Sequence, residues 1–191
     1  MKFEEKHKNF PTIKRQDNII RPGDIFVTWA PHIFNRAISY IQKFRSPDGK
    51  GRFGHAGFFI SSDGLSFEAL WKVQEYDFFV KHHEHFVIIA RHKYITRRNF
   101  NIAYEKIKEK HNNKMYPVYR LLFHLFQFST KFLSKSSGVC SEITGELLYN
   151  LEFWNWYKGA TPDNVHDWMC NQWDFNIEIP FAGWVNINKY R

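Results

Sequence analysis

The sequence predicts an α+β fold, a small antiparallel sheet packed against helices, and three observations carry that expectation. Short apolar or alternating runs separated by turn residues fill the first half of the chain. Helical spacing of apolar residues takes over from Asn99 onward. Neither an internal repeat nor a linker long enough to separate domains interrupts the 191 residues. The expected organisation is an N-terminal arm over residues 1–20 and a single domain over residues 21–191.

Residues 1–20 are polar and without period, which reads as a mobile arm. Arg21-Pro22-Gly23-Asp24 forms a turn, and Ile25–Trp29 reads as a buried strand. From His32 to Phe44, Ile33, Phe34, Ala37, Ile38 and Ile41 fall at helical spacing, and a glycine-bearing loop follows. His55–Ile60 and Leu65–Leu70 read as a hairpin closed by Ser61-Ser62-Asp63-Gly64, since Asp-Gly suits a tight turn. Strand character continues through Val73–Val80 and Phe86–Arg91. Helices are expected over Asn99–Lys110, Tyr116–Lys135 and Val139–Leu151. Thr161-Pro162-Asp163 has the signature of another helix start: a Thr cap, Pro in the first turn and an acid at the positive end. The aromatic tail from Trp173 to Arg191 reads as strand or loop.

Composition narrows the function classes. The formal charge is +8, from 27 Lys+Arg against 19 Asp+Glu, which permits nucleic acid, anionic lipid or anionic polymer as partner. Yet the charges scatter, and no ribonucleoprotein motif, zinc-finger spacing or Walker loop is present, so nucleic acid is not the expected partner. Two cysteines cannot build a disulfide framework. No secretory leader or uninterrupted membrane-length apolar run is visible, so a reducing, cytoplasmic setting with free thiols is expected.

Three residues form the candidate chemistry: His55, Glu68 and Cys140. Whether the hairpin loop holds two residues or four, an odd-numbered residue of the first strand faces an even-numbered one of the second. His55 and Glu68 therefore project from one face, where a carboxylate can hold the imidazole tautomer and stabilise the imidazolium. Cys140 opens the helix that runs to Leu151, so its thiol sits among unpaired backbone N–H groups at the positive helix end. That placement favours thiolate, and the same N–H groups suit an oxyanion hole. Thiolate, imidazolium and an orienting acid are the components of acyl transfer through a thioester. Singly, each residue type is commonly structural; the conjunction is what points to chemistry.

The ordered motifs Arg21-Pro22-Gly23-Asp24-Ile25-Phe26, Gly54-His55-Ala56-Gly57-Phe58-Phe59, Phe67-Glu68-Ala69, Val139-Cys140-Ser141-Glu142 and Thr161-Pro162-Asp163 resemble the circularly permuted papain-like amidases. These are the YaeF/YiiX-like relatives of the NlpC-type cell-wall peptidases. The resemblance spans about residues 21–168 and implies a permuted papain-like domain. It implies Cys140 as nucleophile, His55 as general base and then acid, and Glu68 as the group orienting His55. The face carrying His55 and Glu68 is expected to turn toward the start of the Cys140 helix. Met115-Tyr116-Pro117-Val118-Tyr119 lacks the Asp that the family tends to place after a Tyr, and an inserted loop precedes His55. Tyr116 is a candidate substrate-binding hydroxyl.

The expected activity is thus a cysteine hydrolase acting on a small-molecule or peptide amide, without metal or organic cofactor. The alternatives are a thioester-based lipid acyltransferase or acylhydrolase at an anionic membrane surface, and a non-catalytic binder of an anionic polymer. The acyltransferase reading leans on Tyr116–Lys135, whose wide apolar arc under a thin basic stripe suits either a core helix or an interface. His82-His83-Glu84-His85 resembles a metal patch but has no second ligand cluster, and reads as a solvated strand start or loop. Cys170 reads as a packed thiol, and Asp24 as the brace of a strand end.

Overall fold

A computed structural model of the chain describes residues 19–29, 51, 53–82, 85–115, 140–171 and 175–176. Strands β1 (Ile25–Trp29), β2 (His55–Phe59), β3 (Leu65–Ala69) and β4 (Val73–Asp77) come first. A single helical turn, α1 (Phe78–Lys81), leads to β5 (Phe86–His92). The helices α2 (Arg97–His111), α3 (Cys140–Asn150) and α4 (Pro162–Asn171) follow, and the two-residue β6 (Phe175–Asn176) comes last. The arrangement is mixed α+β, with strand order β4-β3-β2-β1-β5 and β6 on the outer edge of β5. Every paired strand is antiparallel.

The hairpin takes the four-residue loop. Phe58 pairs with Phe67 and Phe59 with Ser66, and the Ile60 N–H donates to the Leu65 carbonyl at 2.9 Å. Gly64 makes this turn possible: its φ is +94°, and a Cβ there would lie 2.4 Å from the Phe79 ring.

Alternation along the strands gives the sheet two different faces. Ile25, Val27, Ala56, Phe58, Phe67, Ala69, Ile88 and Ala90 belong to the main core. There they meet Phe100, Ala103 and Ile107 of α2, Ile143 and Leu147 of α3, and Val165 and Met169 of α4. Phe26, Phe59 and Val87 face the other way and pack with Ile20 and Phe78 in a smaller cluster. Ile20 is buried, and the Ile19 carbonyl accepts from Arg91, so the end of the expected arm is anchored; residues 1–18 lie outside the described residues.

Asp24 braces the far end of β1. Its two oxygens accept from Nε and Nη2 of Arg91, each at 2.8 Å, and it also accepts from the Arg21 N–H. The expected helix over 162 onward forms behind a reciprocal cap: Thr161 Oγ1 accepts from Asn164 N–H at 3.2 Å, and Asn164 Oδ1 from Thr161 N–H at 3.1 Å. The strand expected over Val73–Val80 is shorter than its apolar pattern suggests. It stops at Asp77, whose carboxylate accepts from the Phe79 and Val80 N–H groups and caps α1. The expected helices over 32–44 and 116–135, with Tyr116, lie outside the described residues.

Candidate active site

The hairpin places His55 and Glu68 on the small-cluster face. Glu68 stands opposite Gly57, two residues along β2 from His55, so its side chain must cross the space above Gly57. Only glycine leaves that space open: a Cβ at residue 57 would lie 2.9 Å from Glu68 Cγ and 2.5 Å from the Phe26 ring. The imidazole then meets the carboxylate, with His55 Nε2 2.6 Å from Glu68 Oε2. His55 is 7% exposed and Glu68 1%.

The carboxylate has two further donors. Ser66 Oγ donates to Glu68 Oε1. His82 Nε2 lies 2.8 Å from Oε2, the same oxygen that receives His55. An ionised carboxylate only accepts, so both Nε2 atoms carry hydrogen. The His55 and His82 rings stack with centroids 5.6 Å apart; the Phe26 ring packs against both and the Phe78 ring against His82. Burial by itself would raise the Glu68 carboxyl, but the electrostatic pull of His82 and the hydrogen bonds from His55 and His82 hold it far below the usual carboxylate range.

Cys140 reaches this pair by a route the sequence does not foretell. Helix α3 packs on the main-core face, beside Ala56 and Phe58, not on the face that carries Glu68. The β2–β3 ladder is confined to Phe58 and Phe59, so the strands diverge toward His55. In that gap the Ala56 N–H bonds to the Cys140 sulfur, together with the N–H of Ser141. The thiol also hydrogen-bonds the His55 imidazole. Since Nε2 serves Glu68, Nδ1 is the atom left to the sulfur. Burial opposes a thiolate here, yet the His55 imidazolium and the two N–H groups bring the Cys140 pKa below its ordinary value. Burial likewise opposes a charged His55, and the Cys140 thiolate and Glu68 together push it up to about 10.

The next two residues of the Cys140 motif hold the helix start in place. Ser141 Oγ donates to the Ala160 carbonyl at 2.6 Å, and Glu142 Oε1 accepts from the Gly159 N–H at 2.7 Å. Across from His55 in β1, Thr28 is fully buried. Its Oγ1 has no hydrogen-bond partner among the described residues.

The structure thus brings all three sequence-derived residues together and adds His82. The reading of His82 as solvated is overturned: it is buried and bonded to Glu68. Asp77 is the sequence signal for it, because an Asp before an apolar run can cap a helix and end the strand, turning the chain back under the sheet. Cys170 is half-buried, with its sulfur 3.4 Å from His166 Nε2 on the preceding turn of α4. His55, Glu68 and His82 offer ligand atoms within 4.8 Å of one another, and two imidazoles with a carboxylate suit a divalent cation. The N–O separations of 2.6 and 2.8 Å are those of hydrogen bonds, with both nitrogens aimed at one oxygen rather than at a common point between them. No helix among the described residues is long and apolar enough to cross a membrane. No family model matches the chain, and no curated protein matches it.

Proposed function

We propose that this chain is a cysteine hydrolase of the circularly permuted papain-like kind, cleaving an amide bond through a thioester acyl-enzyme. The observation that carries this reading is the buried line Cys140–His55–Glu68, with the thiol at the start of α3 and the imidazole 2.6 Å from its carboxylate. A His–Glu pair alone is a common structural device; a thiol with a lowered pKa on its other nitrogen is not.

The steps follow from this order of groups. The Cys140 thiolate adds to the amide carbonyl carbon, and backbone N–H groups at the start of α3 hold the oxyanion. As the tetrahedral adduct collapses, the C–N bond breaks and His55 gives its Nδ1 proton to the leaving nitrogen. Neutral His55 next takes a proton from water, and the hydroxide adds to the thioester. The C–S bond breaks, releasing the carboxylic acid and restoring the thiolate. Glu68 remains ionised throughout, holding the Nε2–H tautomer. No step requires a metal or an organic cofactor. The family resemblance makes a peptide or small-molecule amide, such as a cell-wall peptide, the first substrate to screen.

The test is the pH profile of iodoacetamide alkylation at Cys140, with Cys170 as internal reference, in wild type and His55→Ala. The expected profile has Cys140 reacting at a plateau that begins below pH 7, and His55→Ala slows it about 100-fold at pH 6. Equal titration of both thiols near their ordinary value in wild type would remove the catalytic reading.

A further inference from the structure

We propose that His82 is a positioning residue for this reaction, holding the Glu68 carboxylate in the orientation that His55 needs to act as base. The inference rests on the Cys140–His55–Glu68 reading and extends it.

The two imidazoles share one atom of the carboxylate. Glu68 Oε2 accepts from His55 at 2.6 Å and from His82 at 2.8 Å, while Ser66 holds Oε1. A glutamate has three rotatable side-chain bonds, so a single partner would leave its carboxylate free to swing. His82 is itself fixed. It ends α1, where its N–H donates to the Phe78 carbonyl at 2.9 Å. Its Nδ1 lies 2.8 Å from His85 Nδ1, and the Phe78 and Phe26 rings pack against it. The single turn α1, capped by Asp77, therefore delivers a second imidazole to the catalytic carboxylate.

The timing of this need is specific. While His55 is an imidazolium, ion pairing holds Glu68 against it. After the leaving group has gone, the imidazole that must activate water is neutral, and its bond to Glu68 is weaker. The carboxylate then depends on His82 and Ser66 for its place. Loss of His82 should slow deacylation more than acylation, a split that a general loosening of the fold would not produce.

The experiment uses p-nitrophenyl acetate as the acyl donor to the full-length protein. The Cys140 thiolate takes the acetyl group and p-nitrophenolate leaves as the anion. The imidazolium, no longer facing a thiolate, gives its proton to solvent before water is activated. The p-nitrophenolate burst reports acylation, and loss of the acetyl mass from Cys140 reports deacylation, with Cys140→Ala as the blank. His82→Leu is expected to slow deacylation about tenfold while the burst changes less than threefold. His82→Gln, whose amide can still donate to Oε2, is expected to recover most of that loss. In a Glu68→Gln background the His82→Leu effect should vanish, because His82 acts through Glu68.

His85→Ala removes the partner of Nδ1 and serves as the independent variant should His82→Leu fail to fold. It is expected to slow deacylation two- to fivefold, again only when Glu68 is present. Wild-type deacylation in both the His82→Leu and His85→Ala variants, with Glu68→Gln impaired, would overturn the role of His82. So would a His82→Leu effect that persists undiminished in Glu68→Gln. Absence of any His55-dependent acetylation at Cys140 in wild type would instead overturn the hydrolase reading beneath it.

Discussion

Two buried glutamates in this molecule have nearly the same surroundings and different consequences. Glu68 accepts from two imidazoles, at 2.6 and 2.8 Å. Glu146 of α3 accepts from His111 at 2.8 Å and Lys110 at 2.6 Å, both at the end of α2. Burial works against the charge of each, and the hydrogen bonds and electrostatic pull of these partners bring each below the usual carboxylate range. The His111–Glu146 pair clamps α2 to α3, and no nucleophile among the described residues is bonded to it. The His55–Glu68 pair has a thiol on the far nitrogen. Carboxylate and imidazole together thus signal only a satisfied buried acid, and the thiol as third neighbour is what supports the proposed chemistry at one pair and not the other.

The comparison is sharpest in paired substitutions. Glu68→Gln is expected to slow hydrolysis of the Cys140 thioester about 100-fold, the scale of a lost orienting acid. Glu146→Gln, at the structural pair, should leave that rate within about twofold. If the two variants slow it alike, the distinction between the sites collapses.

Gly57→Ala attacks the geometry of one pair only. The added methyl meets Glu68 Cγ and the Phe26 ring, so a loss of about 1–3 kcal/mol of stability is expected in denaturant unfolding, with slower deacylation alongside. Glu146→Gln should lower stability by about 1 kcal/mol, the scale of a charge-assisted hydrogen bond partly open to water. Its pH signature follows from the sign of the shift. A carboxyl lowered on folding contributes stability that is present above its ordinary 4.5 and lost as pH falls. The acid-side loss should be shallower in Glu146→Gln than in wild type.

The thiol–imidazole pair has its own signature, expected to be the smallest effect. His55, raised from 6.5 to about 10, contributes stability that is full below pH 6.5 and lost as pH rises through 10. Cys140, lowered from 9.0, contributes stability that is full above pH 9 and lost as pH falls. Between 6.5 and 9.0 the folded pair and the unfolded chain each hold one proton, so the two contributions cancel and stability from this pair is flat. In Cys140→Ala the thiolate, the largest of the groups that raise His55, is gone, so the loss of stability as pH rises through 10 should shrink. A decline in wild type between pH 6.5 and 9.0 would show instead that the folded pair holds two protons there, as thiol and imidazolium.

How much is legible in the sequence differs residue by residue. Val73–Val80 reads as one strand because apolar residues continue through Phe78 and Val80, but Asp77 caps a turn, and that turn carries His82 under Glu68. The His tract reads as solvated because its neighbours in sequence are polar, while its partners, Glu68, Phe26 and Phe78, lie on other elements. Cys140 is legible as the start of a helix. That the helix packs on the opposite face from Glu68 and reaches His55 through a gap in the ladder is not, because the sheet has an apolar layer on both sides and local alternation does not say which of them a later helix covers.

By itself the sequence determined the α+β order, the Thr161 cap, and the shared face of His55 and Glu68. Each depends on nearest-neighbour sterics, on period, or on the parity of a short loop, all of which act within a few residues along the chain. Only the tertiary structure decided that a thiol 85 positions beyond His55 in the sequence meets its imidazole, that His82 shares its carboxylate, and that Glu146 has no such neighbour among the described residues. Those contacts join segments far apart in the chain, and packing of the whole core against the sheet, rather than any local preference, brings them within hydrogen-bond distance.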